Sequence, residues 1–243
     1  MVLGEKKMME ILGAIEIDKQ LIQHKNNEIE IIKLFKTVEK FPEKKLEKIE
    51  KREGEIYIVT TSRLVHKNGI DDVIRALALL PEHIHFLIYG IGPDEAMLRS
   101  LAERVDVASR THFMGQIGHA EMPLALKACD IFTRPSRSEG MGNSFIEAMA
   151  AELPVIATQE GGIADFLFDA KRNRDKETTG WVVDKDSPEQ IAEAVEDILA
   201  HPEQVGRGTA TAKKMAIEKY DWNLIGRNMR EKVFGKVLDA QIG

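Results

Sequence analysis

Short apolar segments alternate with amphipathic ones from residue 55 to the end of the chain. The apolar segments have the length of strands, and they are EIYIVTTS, HIHFLIYG, RTHFMG, CDIFTRP, LPVIAT and TGWVVD. Between them, apolar residues recur at helical spacing in GIDDVIRALALL, PDEAMLRSLAERV, HAEMPLALKA, SFIEAMAAE, GIADFLF and SPEQIAEAVEDILAH, and a pair of long helices follows. This alternation predicts an α/β fold, a Rossmann-like parallel sheet with helices on both faces.

The first 54 residues have a different pattern. Lysine and glutamate dominate them, and isoleucines and leucines recur only loosely at helical intervals. This pattern predicts one or two amphipathic helices, interrupted near Pro42. We therefore expect two parts, a helical Lys/Glu-rich segment over residues 1–54 and the α/β domain over residues 55–243.

Composition excludes several classes of protein. The chain has 243 residues, 43% of them hydrophobic, and a formal net charge of −6, which argues against general nucleic-acid binding. It contains no secretory signal and no apolar run near the roughly 18 residues that cross a membrane. A single cysteine, Cys129, favours a reducing compartment and a small core side chain. We expect a cytoplasmic protein, with peripheral attachment at the inner membrane face left open.

A pair of glutamates carries the clearest candidate chemistry. Glu139 and Glu147 lie eight residues apart, around a glycine-containing turn that joins a buried strand to a helix. Backbone N–H groups at a helix start attract anions, and glycines let a phosphate approach the backbone closely. Two carboxylates beside such a turn could accept hydroxyl groups, as a nucleotide-sugar site requires. The alternative is a solvated loop residue and an ordinary charge on a helix surface.

Two cations follow the first predicted strand. Arg63 and Lys67 lie four residues apart, before a predicted helix, and together they could neutralise a diphosphate. Because ligands of parallel sheets bind beyond the carboxyl ends of the strands, this pair and the glutamates are expected at the same edge. The alternative is a solvated basic turn.

Glycines end several of the other strands. Gly90 and Gly92 follow the second strand, Gly115 ends the third, and Gly161 and Gly162 follow the fifth. Gly115 could let backbone groups approach a flat base, and the Gly161 pair could approach a phosphate. Ordinary turn chemistry explains each of these glycines equally well.

Two further patterns have to be weighed as metal sites. His83 and His85 are alternate residues of a predicted strand, but they lack a third ligand nearby in the sequence, which favours a rim or surface pair. Asp184 and Asp186 precede a predicted helix, where Asp186 or Ser187 fits a helix cap better than a metal ligand. We therefore expect neither a metal site nor a cofactor.

Seven segments taken together carry a resemblance. They are SRLVHKNGIDDVIRA, IYGIGP, HFMGQI, PSRSEGMGNSFIEAMA, LPVIAT, EGGIADF and TGWVV. In order and spacing they resemble the C-terminal, donor-binding domain of the retaining GT-B glycosyltransferases of family 4, the glycosyl transferases group 1. The resemblance covers about residues 55 to 240, and as an ordered set its motifs are highly specific.

The resemblance implies a role for each candidate residue. Arg63 and Lys67 match the basic pair that holds the donor diphosphate and stabilises it as it leaves, and Glu139 matches the glutamate that contacts the donor sugar. Glu147 matches the glutamate that binds the ribose hydroxyls. The turn that contacts sugar and phosphates corresponds to Gly140, Met141, Gly142, Asn143 and Ser144, and we add Gly115 as a further expected donor-binding residue from its place at the end of the third strand. Such enzymes retain anomeric configuration, and no metal site is expected.

Departures from the family pattern define the open questions. The first 54 residues are too short for the preceding acceptor-binding domain of complete members. Met141, Glu152 and Ala164 stand where an aromatic residue or leucine, glycine and proline are usual. The C-terminal helix would need cover for its apolar residues, which are Leu224, Ile225, Met229 and Val233. We expect either the N-terminal helices or a partner chain to supply that cover.

The resemblance thus implies a nucleotide-sugar as donor and a glycan, lipid or small molecule as the unknown acceptor. An acceptor domain, on a partner chain if not on this one, would complete the enzyme. One alternative is a non-catalytic nucleotide-sugar-binding or interaction module of the same fold. Another is a different GT-B activity, such as an epimerase or a phosphorylase.

Overall fold

The computed structural model describes residues 52–234, and within them six strands form one sheet in which every pairing is parallel. The strands are β1 (Ile56–Thr61), β2 (Ile84–Tyr89), β3 (Thr111–Gly115), β4 (Ile131–Arg134), β5 (Val155–Ala157) and β6 (Trp181–Val182). Their order in the sheet is β3-β2-β1-β4-β5-β6. All six predicted strands are confirmed. The helical prediction for residues 1–51 lies outside the described residues, and the domain boundary stays a prediction.

Helices connect the strands and follow the last one. They are α1 (Ile70–Leu77), α2 (Glu95–Arg104), α3 (Met122–Lys127), α4 (Asn143–Ala150), α5 (Pro188–Ala200), α6 (Pro202–Tyr220) and α7 (Trp222–Met229), which continues as a π-helical turn (Arg230–Phe234). The predicted helices are confirmed except at GIADFLF. There only a 3-10 helix forms (Gly161–Asp165), because two adjacent glycines at the start of this segment disfavour an α-helix.

The core consists of two apolar layers, one on each face of the sheet. Successive side chains of β1 point to opposite faces, so that Val59 packs in the layer containing Phe132 and Phe145, and Ile58 in the layer containing Ile88 and Ile156. Both faces of the sheet are therefore covered, as a parallel sheet requires. The predicted Rossmann-like fold class is confirmed.

The strand order creates a switch point between β1 and β4. From β1 the sheet is built outward through β2 and β3, and the chain then returns to add β4, β5 and β6 on the other side. Connections therefore leave the carboxyl ends of β1 and β4 in opposite directions and open a crevice between them. Ligands of open α/β sheets bind in such crevices.

The opposite, amino edge of the sheet contains the two predicted histidines. His83 precedes β2 and is exposed, whereas His85 lies within β2 and stacks between Tyr57 and His112, with ring centroids 5.4 and 5.3 Å away. Both histidines therefore lie at the rim of the sheet, and the contact of His85 with His112 of β3 is one that the sequence pattern did not indicate. Between residues 52 and 234, no three histidine, cysteine or acidic side chains are grouped so as to hold a metal.

One departure from the family pattern has a local physical cause. Glu152 lies between α4 and β5 with φ 63°, in the left-handed region that favours glycine. A side chain at this position strains the backbone, so the usual glycine is the less strained residue.

The C-terminal helix keeps some of its apolar surface accessible. Leu224 and Ile225 of α7 are half-buried, and Met229 is 36% exposed. No helix in the described part of the chain is both long and apolar enough to cross a membrane. Whether another segment covers α7 stays a prediction.

Candidate active site

The loop after β1 contains Arg63 and Lys67, and its backbone conformation is fixed by two contacts. The Asn68 side-chain amide donates to the carbonyl oxygen of Arg63 at 2.7 Å. Gly69 then turns the chain with φ 67°, and a Cβ there would lie 2.2 Å from the carbonyl oxygen of Pro135. Only glycine allows this close approach, which brings the loop after β1 against the loop after β4.

The loop after β4 contains the predicted glycine turn. Gly142 has φ 69° and directly precedes α4, whose fifth residue is Glu147. The N–H of Gly162 donates to the carbonyl oxygen of Gly140 at 2.6 Å, and a Cβ on Gly161 would lie 1.9 Å from the carbonyl oxygen of Glu139. The glycine pair after β5 therefore supports this turn from outside, which local turn chemistry alone did not indicate.

Two cavities at the carboxyl edge share Arg63. The first, of about 750 Å³, is lined by Arg63 together with Ser144 and Glu147. The second, of about 770 Å³, is lined by Arg63 together with Lys67, Glu139 and Gly142. The four predicted charged residues thus border two cavities that share a lining residue, at the switch point between β1 and β4.

Two of the cations at these cavities, Arg63 and Lys67, carry a charge that no described residue pairs with. Arg63 and Lys67 are exposed, and neither forms an ion pair with any residue between 52 and 234. Both guanidinium and ammonium groups are therefore available to an anionic ligand.

Other predicted residues lie beside the cavities without lining them. Gly115 ends β3, its carbonyl oxygen accepts the Gly90 N–H at 2.8 Å, and the next two residues line the first cavity in its place. Gly140, Met141 and Asn143 flank the turn and are exposed. Their roles as ligand contacts stay predictions.

Gly90 and Gly92 line the first cavity, and their lack of a side chain has a packing reason. A Cβ on Gly90 would lie 1.8 Å from the carbonyl oxygen of Ser62, and one on Gly92 would lie 2.2 Å from that of Leu64. These glycines therefore let the loop after β2 pack directly against the loop that contains Arg63.

Three buried polar atoms at the cavities have no hydrogen-bond partner among residues 52–234. Thr61 Oγ1, Ser62 Oγ and Arg134 Nε form no hydrogen bond within the described part of the chain. Thr61 and Ser62 line the first cavity, and Arg134 lines the second. Because buried polar atoms are nearly always paired in folded proteins, these atoms indicate that water or a polar ligand belongs here.

Arg134 is a site residue that sequence reasoning missed. It is the last residue of β4, is 7% exposed, and contacts Glu139 and Ser144. Burial lowers the pKa of its guanidinium, whereas the carboxylates of Glu139 and Glu147 oppose that shift. The only sequence indication was an arginine inside an otherwise apolar strand.

Arg137 is a second missed residue, and it fixes the loop that contains Lys67. Its guanidinium donates to Asp71, to Asp72 at 2.6 Å and to Asp186 at 2.6 Å, and its N–H donates to the carbonyl oxygen of Lys67 at 2.7 Å. These carboxylates raise the pKa of Arg137, although burial opposes the shift. The network ties the loops after β1 and β4 to the start of α5.

The pKa values of two acidic groups around Arg137 are shifted in opposite directions. For Asp71, burial opposes ionisation, but the guanidiniums of Arg137 and Arg75 outweigh it and hold the pKa below its usual value. For Asp72, burial and the nearby Asp71 carboxylate raise the pKa to about 6. Asp72 is therefore the group of this network that takes up a proton first as the pH falls toward 6, whereas Asp71 stays ionised.

The predicted helix cap before α5 is only partly right. Helix α5 begins at Pro188 with Ser187 at the N-cap position, but no side chain makes a capping hydrogen bond. Asp186 instead pairs with Arg137, and Asp184 accepts hydrogen bonds from Arg172 and Gln190. Long-range ion pairing thus replaces the local capping interaction.

Comparison with known proteins identifies the family. The model of the family "Glycosyl transferases group 1" matches residues 41–215, more than half of the chain. A GDP-mannose-dependent alpha-(1-6)-phosphatidylinositol monomannoside mannosyltransferase of Mycolicibacterium smegmatis is 31% identical over 189 residues, which cover 74% of this chain and 48% of that protein. The chain spans about half the length of these curated relatives.

Solved structures agree on the fold. Anabaena Alr3699/HepE in complex with UDP-glucose superimposes with a TM-score of 0.68 at 20% identity, over 75% of this chain and 49% of that chain. The C-terminal domain of a glycosyl transferase group 1 family protein from Francisella tularensis superimposes with a TM-score of 0.60 at 22% identity, over 68% of this chain and 86% of that chain. The fold is therefore that of the C-terminal half of a GT-B glycosyltransferase, and the chain belongs to the glycosyl transferases group 1 family.

Proposed function

We propose that this chain is the donor-binding half of a retaining glycosyltransferase, which transfers a hexose from a nucleoside diphosphate sugar to an acceptor. The observation that carries the proposal is the position of Arg63, which lines both cavities. It joins the cavity of Glu147 and Ser144 to the cavity of Lys67 and Glu139. A ligand with a diphosphate between two polyhydroxylated ends matches that arrangement of charges.

The chemistry assigned to each residue follows from charge. Arg63 and Lys67 would hold the diphosphate and stabilise the negative charge that develops as it leaves, which is the main electrostatic contribution in such transfers. Glu139 would accept hydroxyl groups of the sugar, and Glu147 those of the ribose. Backbone groups from Gly140 to Ser144 would complete the contacts to sugar and phosphate, and no step uses a metal or a cofactor.

The relatives support the class of donor. The mycolicibacterial relative depends on GDP-mannose, and the Anabaena protein has been solved with UDP-glucose. These two donors share a nucleoside diphosphate and a hexose, which is the class we assign to this chain. The identity of base and sugar would depend on residues such as Gln116 and Ile117, at the rim of the first cavity.

Catalysis requires an acceptor-binding domain in addition to the described residues. Because the chain covers about half of its relatives, we propose that a partner chain or a further part of the polypeptide supplies that domain. The acceptor would be a glycan, a lipid or a small molecule. A cytoplasmic location, with peripheral attachment to the inner membrane face as a variant, agrees with the presence of a single cysteine, the buried Cys129.

Calorimetric titration with GDP-mannose, UDP-glucose and an adenosine diphosphate sugar tests the proposal. We expect one of them to bind, and we expect Glu147→Ala to abolish that binding. Asp184→Ala is the matched control, because Asp184 pairs with Arg172 and lines neither cavity. Equal losses in both variants would contradict the site assignment. Tight binding without hydrolysis or transfer, even with the acceptor domain added, would favour the non-catalytic module.

A further inference from the structure

Arg134 is an unusual residue for the end of a central strand. Its neighbours in the sheet belong to β1 and β5, and its side chain is 7% exposed. Burying a guanidinium is costly unless charged and polar partners compensate for the lost water. The residues that contact Arg134 therefore indicate the role of its buried charge.

Those partners all belong to the segment that forms the predicted sugar-contacting turn. The Arg134 guanidinium donates to a carboxylate oxygen of Glu139, donates to Ser144 Oγ at 2.8 Å, and lies 4.3 Å from the centre of the Phe145 ring. A Cβ on Gly142 would lie 2.7 Å from Arg134 Nη2. The guanidinium thus lies directly under the turn, between the ring of Phe145 and the backbone of Gly142.

The Glu139 carboxylate is held at both oxygens. Arg134 donates to Oε2, and the backbone N–H of Gly140 donates to Oε1 at 3.0 Å. Since each carboxylate oxygen can accept further hydrogen bonds, the group can still accept hydroxyl groups from the cavity that it lines. Its orientation toward the cavity is set by Arg134 together with the N–H of Gly140.

Comparison with Arg110 separates this arrangement from ordinary structural burial. Arg110 is buried to a similar degree, but its guanidinium donates to four backbone carbonyl oxygens and lines neither cavity. Arg134 donates to side chains of the site, lines the second cavity and leaves Nε without a partner in the described chain. An arginine that only stabilised the fold would not have to line a cavity, as Arg134 does.

We propose that Arg134 is a positioning residue for the sugar end of the donor, and that it acts by fixing the Glu139 carboxylate at the turn from Gly140 to Gly142. This inference rests on the proposed function. An arginine fits the task because its planar fork reaches Glu139 and Ser144 at once, whereas a lysine ammonium cannot reproduce that geometry.

The test measures sugar discrimination, a quantity that a loss of fold stability alone does not change. Dissociation constants of the full chain are measured for GDP and GDP-mannose, and for UDP and UDP-glucose. The dissociation constant for each nucleotide, divided by that for its nucleotide-sugar, gives the ratio that is compared. In Arg134→Lys we expect this ratio to fall about tenfold, as expected for a lost hydrogen bond to a charged group, with the affinity for the nucleotide alone kept within threefold. The matched control is Arg110→Lys, which should leave the ratio unchanged.

A double-variant comparison keeps the inference testable if single variants of Arg134 unfold. Replacing both members of a buried ion pair leaves no uncompensated charge, so Arg134→Met combined with Glu139→Gln is expected to fold. If Arg134 acts only through Glu139, this double variant and Glu139→Gln alone have the same ratio. A further loss in the double variant would overturn the inference.

The remaining outcomes are also decisive. If the wild-type chain binds nucleotide and nucleotide-sugar but Arg134→Lys keeps the wild-type ratio, the role of Arg134 is wrong and the proposed function stands. Equal wild-type affinities for nucleotide and nucleotide-sugar would likewise overturn the role. If the wild-type chain binds none of the four compounds, the proposed function is wrong, and the role of Arg134 is overturned with it.

Discussion

The amino and carboxyl edges of the sheet contain the same kinds of polar residue, but the partners of those residues differ. At the amino edge, Arg110 is surrounded by backbone carbonyl oxygens, and His85 stacks between Tyr57 and His112. At the carboxyl edge, Arg134 pairs with a carboxylate beside a cavity, and Thr61 and other buried polar atoms lack partners in the described chain. Within the described residues, the polar groups named at the amino edge find partners in the protein. Several of those at the carboxyl edge do not, and a ligand or water would have to pair with them.

This difference teaches how stability and function are distributed in the molecule. Polar groups that are satisfied internally stabilise the fold, whereas polar groups without partners cost free energy until a ligand or water pairs with them. Substitutions at the amino edge should therefore change the free energy of unfolding and leave ligand binding alone. Substitutions at the carboxyl edge should change ligand binding even where they cost little stability.

The largest expected effect is at Arg110 on the amino edge. Arg110→Met removes the donor for the carbonyl oxygens of Leu77, Leu80, Pro81 and Ile84. We expect a loss of about 3 kcal/mol in the free energy of unfolding, since several acceptors lose a charged donor at once. Urea denaturation measures this loss. A change below about 1 kcal/mol would show that the carbonyls pair with water instead.

An intermediate effect is expected at Gly161 on the carboxyl edge. Gly161 has φ 56°, and a Cβ there would lie 1.9 Å from the carbonyl oxygen of Glu139. Gly161→Ala should lower stability by about 2 kcal/mol, because an alanine at such a φ is strained, and should weaken nucleotide-sugar binding by displacing Glu139. Denaturation and calorimetric titration measure the two effects.

Gly206 provides the control for that substitution. It lies within α6, and nothing lies within 4 Å of the position that its Cβ would occupy. Gly206→Ala should raise stability by about 1 kcal/mol, because alanine favours a helix, and should leave binding unchanged. A similar loss of binding in both glycine variants would remove the distinction between the site and the rest of the fold.

The smallest effect is expected at Glu152 on the amino edge, where the backbone is strained and the residue lines neither of the two cavities. Glu152→Gly should raise the free energy of unfolding by about 1 kcal/mol, because glycine tolerates the φ of 63°. The lost ion pair with Lys213, at 3.0 Å and partly exposed, offsets little of this gain. Glu152→Ala keeps the strain and should give no gain. Thermal denaturation separates the two variants, and a stabilised alanine variant would contradict the backbone explanation.

Local patterns in the sequence were sufficient for the elements and for proposing the charged residues of the candidate site. The apolar run ending at Arg134 predicted β4, and the spacing of apolar residues predicted α4, because side-chain periodicity follows directly from backbone geometry. The alternation of the two periods predicted the parallel sheet. It also placed Arg63, Lys67 and Glu139 just after strand ends, where such a sheet binds ligands, and Glu147 in the first turns of the helix that follows β4.

Interactions between distant segments could not be predicted in the same way. No local pattern indicates that Arg137 pairs with Asp71 and Asp186, which lie 66 and 49 residues away in the chain. Nor does one indicate that Gly161 supports the backbone of Glu139, or that His85 stacks on His112. Each of these contacts depends on the order of the strands in the sheet, which the sequence pattern left undefined.

The sequence by itself therefore determined the elements, the α/β class and the chemical types of group at the carboxyl edge. Tertiary structure alone decided which of those groups meet. It placed Arg134 under the turn that holds Glu139, and it made Arg63 common to both cavities. The physical reason is that periodicity is a property of neighbouring residues, whereas the pairing of buried charges is fixed only when strands β1 and β4 lie side by side.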